Sequence, residues 1–362
     1  MSPQGVSAYS LVNATVRALR STMLTPETWN ALVQAQDFDA LLSVLSKTVY
    51  GPYLEIERQA LTPRRAVYQL RWHLADVYEK LIRLTPEPGR QLLLHLWRLY
   101  EVDNLKATLR GIETGASWDQ VRHLLSPMTQ YITVTPADME RMVQSGDVIR
   151  AIEHIRHTPY HDTLVHALER YKTEKNLFPL EVALDLDYRR GLWQSVEQLK
   201  GSDLKQASRL VGTVLDVDNL LWATRYRVYH HLSEEEIINY TLPFGYQVRD
   251  EDIRAIAAGA DIAQVVGRIY PDIEGLERLS DQPNARLGAL ELALNRHIAK
   301  TCYATFIGNP FHIGIPVAYL LLNEHEIRDL TVLIEAKASH LPMKTLASLL
   351  EIQPSSSQVD QR

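Results

Sequence analysis

Residues 135–152 read Thr135-Pro-Ala-Asp-Met-Glu-Arg-Met-Val-Gln-Ser-Gly-Asp147-Val-Ile-Arg-Ala-Ile152. The pattern is a capping threonine, a proline with no N–H to leave unsatisfied, a short apolar-periodic helix, a small-residue break, an aspartate and a second short helix. Two other stretches have the same form. One is Arg249-Asp-Glu-Asp-Ile-Arg-Ala-Ile-Ala-Ala-Gly-Ala-Asp261-Ile-Ala-Gln-Val-Val266, and the other is Thr25-Pro-Glu-Thr-Trp-Asn-Ala-Leu-Val-Gln-Ala-Gln-Asp37-Phe-Asp-Ala-Leu-Leu42. Asp37, Asp147 and Asp261 each stand where the second helix needs an N-cap. Such self-similarity marks a repeat architecture.

A second element recurs between the helix pairs. Glu101-Val-Asp-Asn-Leu105 is answered by Asp216-Val-Asp-Asn-Leu220 and by Glu326-Ile-Arg-Asp-Leu330. Capping-box spacings follow the first two at Ser117…Gln120 and Ser233…Glu236, and Leu341-Pro342 takes the corresponding place after the third. The chain opens with a helix pair and stops after the Glu326 element, so one repeat is divided between its two ends. A unit of this kind buries its apolar face only against neighbours. A closed three-part ring is therefore expected, with the N- and C-terminal regions in one lobe.

Elsewhere the apolar spacing is also helical. Leu287, Leu290, Leu294, Ile298 and Cys302 share one face of a helix starting near Asn284, and Leu92, Leu96, Leu99, Tyr100 and Ala107 share another. Further starts are expected at Thr62-Pro63 and Thr85-Pro86-Glu87. Tyr131–Val134 and Tyr246–Val248 are short β-like runs that read as extended links. The fold class is all-α. The expected lobes are 1–90 plus 311–353, 91–205 and 206–310, roughly 110 to 115 residues each and of ordinary domain size. The tail 354–362, Pro-Ser-Ser-Ser-rich, is expected to be disordered.

Composition excludes several functions. The 362 residues include a single cysteine, which leaves no disulfide framework and no CxxC motif and fits a reducing compartment. A net charge of -6 argues against nucleic-acid binding. The longest apolar stretch, Ile315 to Leu322, holds Pro316 and is closed by Asn323, too short to span a bilayer. The opening Met-Ser-Pro-Gln-Gly gives no sign of a secretory leader.

The segment Asn309-Pro-Phe-His-Ile-Gly-Ile-Pro-Val-Ala-Tyr-Leu-Leu-Leu-Asn-Glu-His-Glu-Ile-Arg-Asp-Leu330 resembles the C-terminal signature of a family of V-type (A/V-type) ATPase components, the C subunits, equivalent to the d subunit of eukaryotic V-ATPases. Tyr9–Arg20, Ser46–Tyr53 and Glu101–Arg110 are similar to its other patterns, so the resemblance spans about residues 9 to 350. Asn323 stands where the family often carries a basic residue, and Asp329 where Asn is usual. The resemblance implies three helical bundles forming a funnel on the cytoplasmic face of a membrane. It implies a non-catalytic component of the central rotor, a socket between the central stalk and the membrane rotor (proteolipid) ring that transmits torque between ATP hydrolysis or synthesis and ion translocation. Its partners would be the proteins of the central stalk and the ring, with the chain a single copy in a hetero-oligomer and no nucleic acid bound. The alternative is a generic all-helical repeat scaffold unrelated to ATPases, whose termini need not meet. An enzyme with a central active site is a third class, and it would require convergent titratable residues.

No catalytic, cofactor-binding or metal site is expected. Nothing fits a phosphate loop, a Gly-x-Ser-x-Gly elbow or a His-Glu-x-x-His helix. Cys302 continues an apolar stripe and reads as a packed thiol. His154, His157, His161 and His166 collect in one stretch, but Pro159 interrupts it and no thiolate joins them, so a solvated helix end is expected. Asp103 falls within the Leu92–Ala107 stripe and Asp218 on the flank of Leu210, Val214, Val217 and Leu221. Burial would require both to be bonded, so they are expected to be polar locks within their lobes rather than an acidic lining for the stalk cavity. Arg64-Arg65 and Arg189-Arg190 read as solvated surface.

Overall fold

The computed structural model describes residues 3–55, 61–230, 232–276, 283–339 and 350, with only the backbone for 3–7 and 283–285. Among the described residues there are seventeen helices and no strand. The helix expected after Leu341-Pro342 and the tail 354–362 lie outside the described residues.

The cap residues behave as their side-chain chemistry requires. Asp37, Asp147 and Asp261 accept from the backbone N–H of Ala40, Arg150 and Gln264 at 2.8, 2.9 and 3.1 Å. They start α3 (Phe38–Leu45), α9 (Val148–Glu153) and α15 (Ile262–Ile269). Thr25, Thr62 and Thr135 cap α2 (Pro26–Gln34), α5 (Pro63–Leu84) and α8 (Pro136–Gln144), each with proline in the first turn. Ser117 and Ser233 close capping boxes with Gln120 and Glu236. Thr85 departs from the expected start. It is fully buried and ends α5, its hydroxyl donating to the Leu81 carbonyl at 2.7 Å, and α6 begins only at Gly89. A threonine at a buried helix end satisfies an orphan carbonyl as readily as it caps an N-terminus.

The chain forms two compact units, one of residues 87–199 and one of residues 1–86 with 200–362. In the contiguous unit, α6 (Gly89–Glu113) packs on α11 (Phe178–Glu197) and α8, and α10 (Tyr160–Glu174) packs on α11. The core includes Leu93, Leu105, Leu109, Met142, Ile152 and Leu164.

The other unit is organised around α17 (Gly314–Ala338), which contacts α5, α3, α1 (Pro3–Arg20), α12 (Gly201–Val228) and α16 (Pro283–Thr305). Every residue from Gly314 to Asn323 is buried, because helices cover this segment on several sides. Its hydropathy is thus that of a core helix, and among the described residues no helix is long and apolar enough to cross a membrane. Several polar contacts tie the early residues to the late ones. Asp203 accepts from the Tyr9 hydroxyl and from the Ile313 N–H, both at 2.8 Å. Lys337 caps the end of α2 by donating to the carbonyls of Val33 and Ala35 at 2.8 and 2.5 Å.

Candidate functional site

The helix carrying each Glu101-like element is more than a wall of the bundle. Glu101 is 3% exposed and lies on the buried face of α6 with Asn104, Leu105, Thr108 and Ile112. One carboxylate oxygen accepts from the backbone N–H groups of Thr133 and Val134 (2.5 and 2.6 Å). The other accepts from the Thr133 and Tyr160 hydroxyls (3.0 and 2.6 Å). Asp216 repeats the arrangement on α12. It accepts from the N–H groups of Tyr246, Gln247 and Val248 at 2.9, 2.7 and 3.2 Å and from the Tyr270 hydroxyl at 2.5 Å. Glu326 repeats it again on α17, with the Leu24 N–H at 3.0 Å and the Tyr50 hydroxyl at 2.7 Å.

Each clamp therefore joins three pieces of one repeat: the long helix, the link that leads into the helix pair, and a tyrosine that follows the pair. The two β-like runs are these links, and their N–H groups pair with a carboxylate instead of a neighbouring strand. A buried carboxylate persists only when bonded, and these bonds are charge-assisted. Burial still raises the Asp216 pKa, against the lowering effect of its donors, and raises Tyr160, Tyr270 and Tyr50 beside the carboxylates. Burial likewise lifts Glu326 to about 7, opposed by the Tyr50 and Leu24 bonds and reinforced by Asp329.

A second lock lies one turn along. The Asn104 side chain both receives from the Ser126 N–H (2.6 Å) and donates to the Ser126 carbonyl (3.1 Å). Asn219 makes the same pair of bonds to Leu242, at 2.8 and 3.1 Å. Asn104 and Asn219 are the fourth residues of their motifs.

One close approach makes the Asp216 clamp possible. A Cβ on Gly245 would lie 2.0 Å from Asp216 Oδ1, so only glycine lets the link pass over the carboxylate.

The residues expected to lock the lobes are different ones. Asp103 is not buried: its side chain is 49% exposed and pairs with Lys106 at 3.0 Å, and Lys106 also reaches Asp185 at 2.8 Å. The Leu92–Ala107 stripe that pointed to it is a flank of α6, with Leu99 and Ala107 only half-buried. The buried face carries Glu101, Asn104 and Thr108 among Leu93, Leu105 and Leu109, so leucine spacing does not single them out. Asp218 is half-buried and Asp216 holds the buried place. The repeat itself contained the signal. The first position is acidic in all three motifs, whereas the third is Asp, Asp and Arg.

The other marked residues form no common site. His157 lies 3.5 Å from Asp138, His161 bonds Asp162 at 2.9 Å, and His166 faces the Asp162 carbonyl at 2.6 Å. Among the described residues no group of three His, Cys, Asp or Glu side chains could hold a metal. Cys302 is fully buried, which pushes its thiol pKa up and away from nucleophilic use. Arg64 and Arg190 are exposed, Arg65 lies over the Tyr68 ring, and Arg189 faces Asp185.

Comparison with known proteins gives these features a context. A family model described as ATP synthase (C/AC39) subunit matches residues 12–349. Among similar curated proteins is the C subunit of the A-type ATP synthase of Methanocaldococcus jannaschii, 23% identical over 95% of this chain and 86% of the relative. That of Methanococcoides burtonii is 24% identical over 96% and 95%. That of Methanobrevibacter smithii is 26% identical over 73% and 68%.

Proposed function

The chain belongs to the ATP synthase (C/AC39) subunit family, and from that membership we propose that it is the socket component of the central rotor in an A/V-type rotary ATPase. In that role it is an accessory protein, not an enzyme. It joins the central stalk to the membrane rotor ring and passes torque between ATP hydrolysis or synthesis and ion translocation. It works at the cytoplasmic face of the membrane as a peripheral component. The observation that carries this reading is the match along nearly the whole chain, 12–349.

The clamps support the mechanical part. Torque transfer needs bodies that deform little, and satisfied buried polar networks rigidify the core they hold. Three lobes of one design, the first built from both chain ends, are the arrangement we propose for the socket. Its support is the threefold recurrence of the carboxylate clamp at Glu101, Asp216 and Glu326.

The test is co-purification. The full chain should elute with a detergent-solubilised rotor ring and, separately, with the assembled stalk. Failure to bind either partner, with all components folded, overturns the proposal.

A further inference from the structure

The three clamps share one design but not one supply of donors. Glu101 and Asp216 each receive four hydrogen bonds. Glu326, 1% exposed, receives two among the described residues. Among the described residues no cation comes within ion-pairing distance of it. The basic group behind Tyr50 is His73 of α5, whose ring meets the tyrosine edge-on at 4.9 Å. Burial lowers His73 to about 4, so it is neutral at pH 7 and supplies no counter-charge. The other groups facing Glu326 are Tyr319 and Asp329 on its own helix and Tyr303 of α16, and the Asp329 charge opposes ionisation further. Arg20 of α1 acts on Tyr303.

One turn before Glu326, Asn323 acts on the same Tyr50 hydroxyl, and among the described residues its buried Oδ1 has no hydrogen-bond partner. A buried amide oxygen left unpaired is costly, and Asn323 stands one helical turn from the Glu326 carboxyl on α17. A proton on Glu326 would satisfy both, since the carboxyl O–H can donate to Asn323 Oδ1.

We propose that Glu326 is a proton-binding site that fastens the two ends of the chain, held closed by a neutral carboxylic acid between Asn323, Tyr50 and Leu24 and loosened when that proton leaves. Glu101 and Asp216 each have four donors, whereas this clamp, with two among the described residues, is conditional. The proposal stands whether or not the chain sits in a rotary complex.

The sign follows from linkage. The folded chain keeps the proton up to about pH 7, while an unfolded glutamate loses it near 4.5. The stabilisation is complete below that lower value and is lost as pH rises to the upper one.

The test uses the full-length chain and two readouts. Infrared spectra should contain a protonated-carboxyl band at pH 6 that disappears by pH 8 and is absent from Glu326→Gln. Hydrogen exchange across residues 24–54, corrected for intrinsic rates, should show opening that grows between pH 5 and 7 by up to about tenfold per unit and then levels. Glu326→Gln should flatten that dependence, and Asn323→Leu, which removes the acceptor, should move the midpoint downward. The proposal is overturned if the band is missing at pH 6, if Glu326→Gln retains the wild-type profile, or if Asn323→Leu leaves the midpoint unchanged.

Discussion

The clamps at Glu101 and Glu326 use the same groups but close very different loops. Glu101 reaches a tyrosine 59 residues away, inside one contiguous unit. Glu326 reaches one 276 residues away, at the other end of the chain. Loop-closure entropy grows only as the logarithm of length, so the longer loop costs about 1.4 kcal/mol more in a flexible chain. A difference of that size is comparable to one net hydrogen bond. Yet, among the described residues, the clamp that closes the longer loop has fewer donors. Stability is thus unevenly distributed, with the firmer lock where the chain is contiguous and the weaker one where its ends meet.

The largest expected effect comes from removing the firmer lock. Glu101→Ala leaves the Thr133 and Val134 N–H groups and the buried Tyr160 hydroxyl without their acceptor. It should cost about 4 kcal/mol, read as a lower denaturation midpoint of the full chain with Trp fluorescence as the probe. A loss below about 1 kcal/mol would show that the donors find other partners and that the two clamps are energetically alike.

Glu326→Gln should behave in the opposite way. Neutralising this side chain removes the cost of ionising it, so the variant should gain on wild type as pH rises from 4.5 to about 7. The swing should be on the order of 3 kcal/mol, measured as the difference between urea-denaturation free energies at pH 5 and pH 8. A constant difference would erase the contrast with Glu101.

Gly245→Ala tests the Asp216 clamp through the link instead of the acid. The added methyl meets Asp216 Oδ1, so the backbone must withdraw its N–H donors. About 2 kcal/mol should be lost, together with faster exchange at Tyr246–Val248.

The smallest effect is expected at Asp103, two residues from Glu101 in the same motif. Its exposed pair with Lys106 should be worth under about 0.5 kcal/mol, so Asp103→Ala should leave the midpoint nearly unmoved. A large loss there would mean that the buried face of α6 has been misassigned.

The helix boundaries and the repeat were legible because capping is local chemistry. An Asp with the right helical neighbours fixes its own hydrogen bond, so Asp37, Asp147 and Asp261 could be identified without any tertiary contact, whereas the Thr85-Pro86 pair closes a helix instead of starting one. The clamps were not legible by the same route. Hydrophobic periodicity locates a buried face by its leucines, and on α6 Glu101, Asn104 and Thr108 lie hidden among Leu93, Leu105 and Leu109 on that face. A carboxylate can occupy a core only when distant backbone donors meet it, and those donors belong to links that carry no marked chemistry of their own. Aligning the motifs position by position would have found the acids. Hydropathy alone points to Asp103.

The 276 residues between Tyr50 and Glu326 also set an order of events during synthesis. At about 5 to 20 residues per second, Tyr50 leaves the ribosome between roughly a quarter of a minute and a minute before the helix that must cover it. The unit of residues 87–199 has its whole sequence in hand long before then. Leu41 and Leu45 of α3, the helix on which α17 packs, must meanwhile wait with their apolar surface uncovered. A segment made before the unit of residues 87–199 is thus completed only after it, and a chaperone's holding time would be spent there.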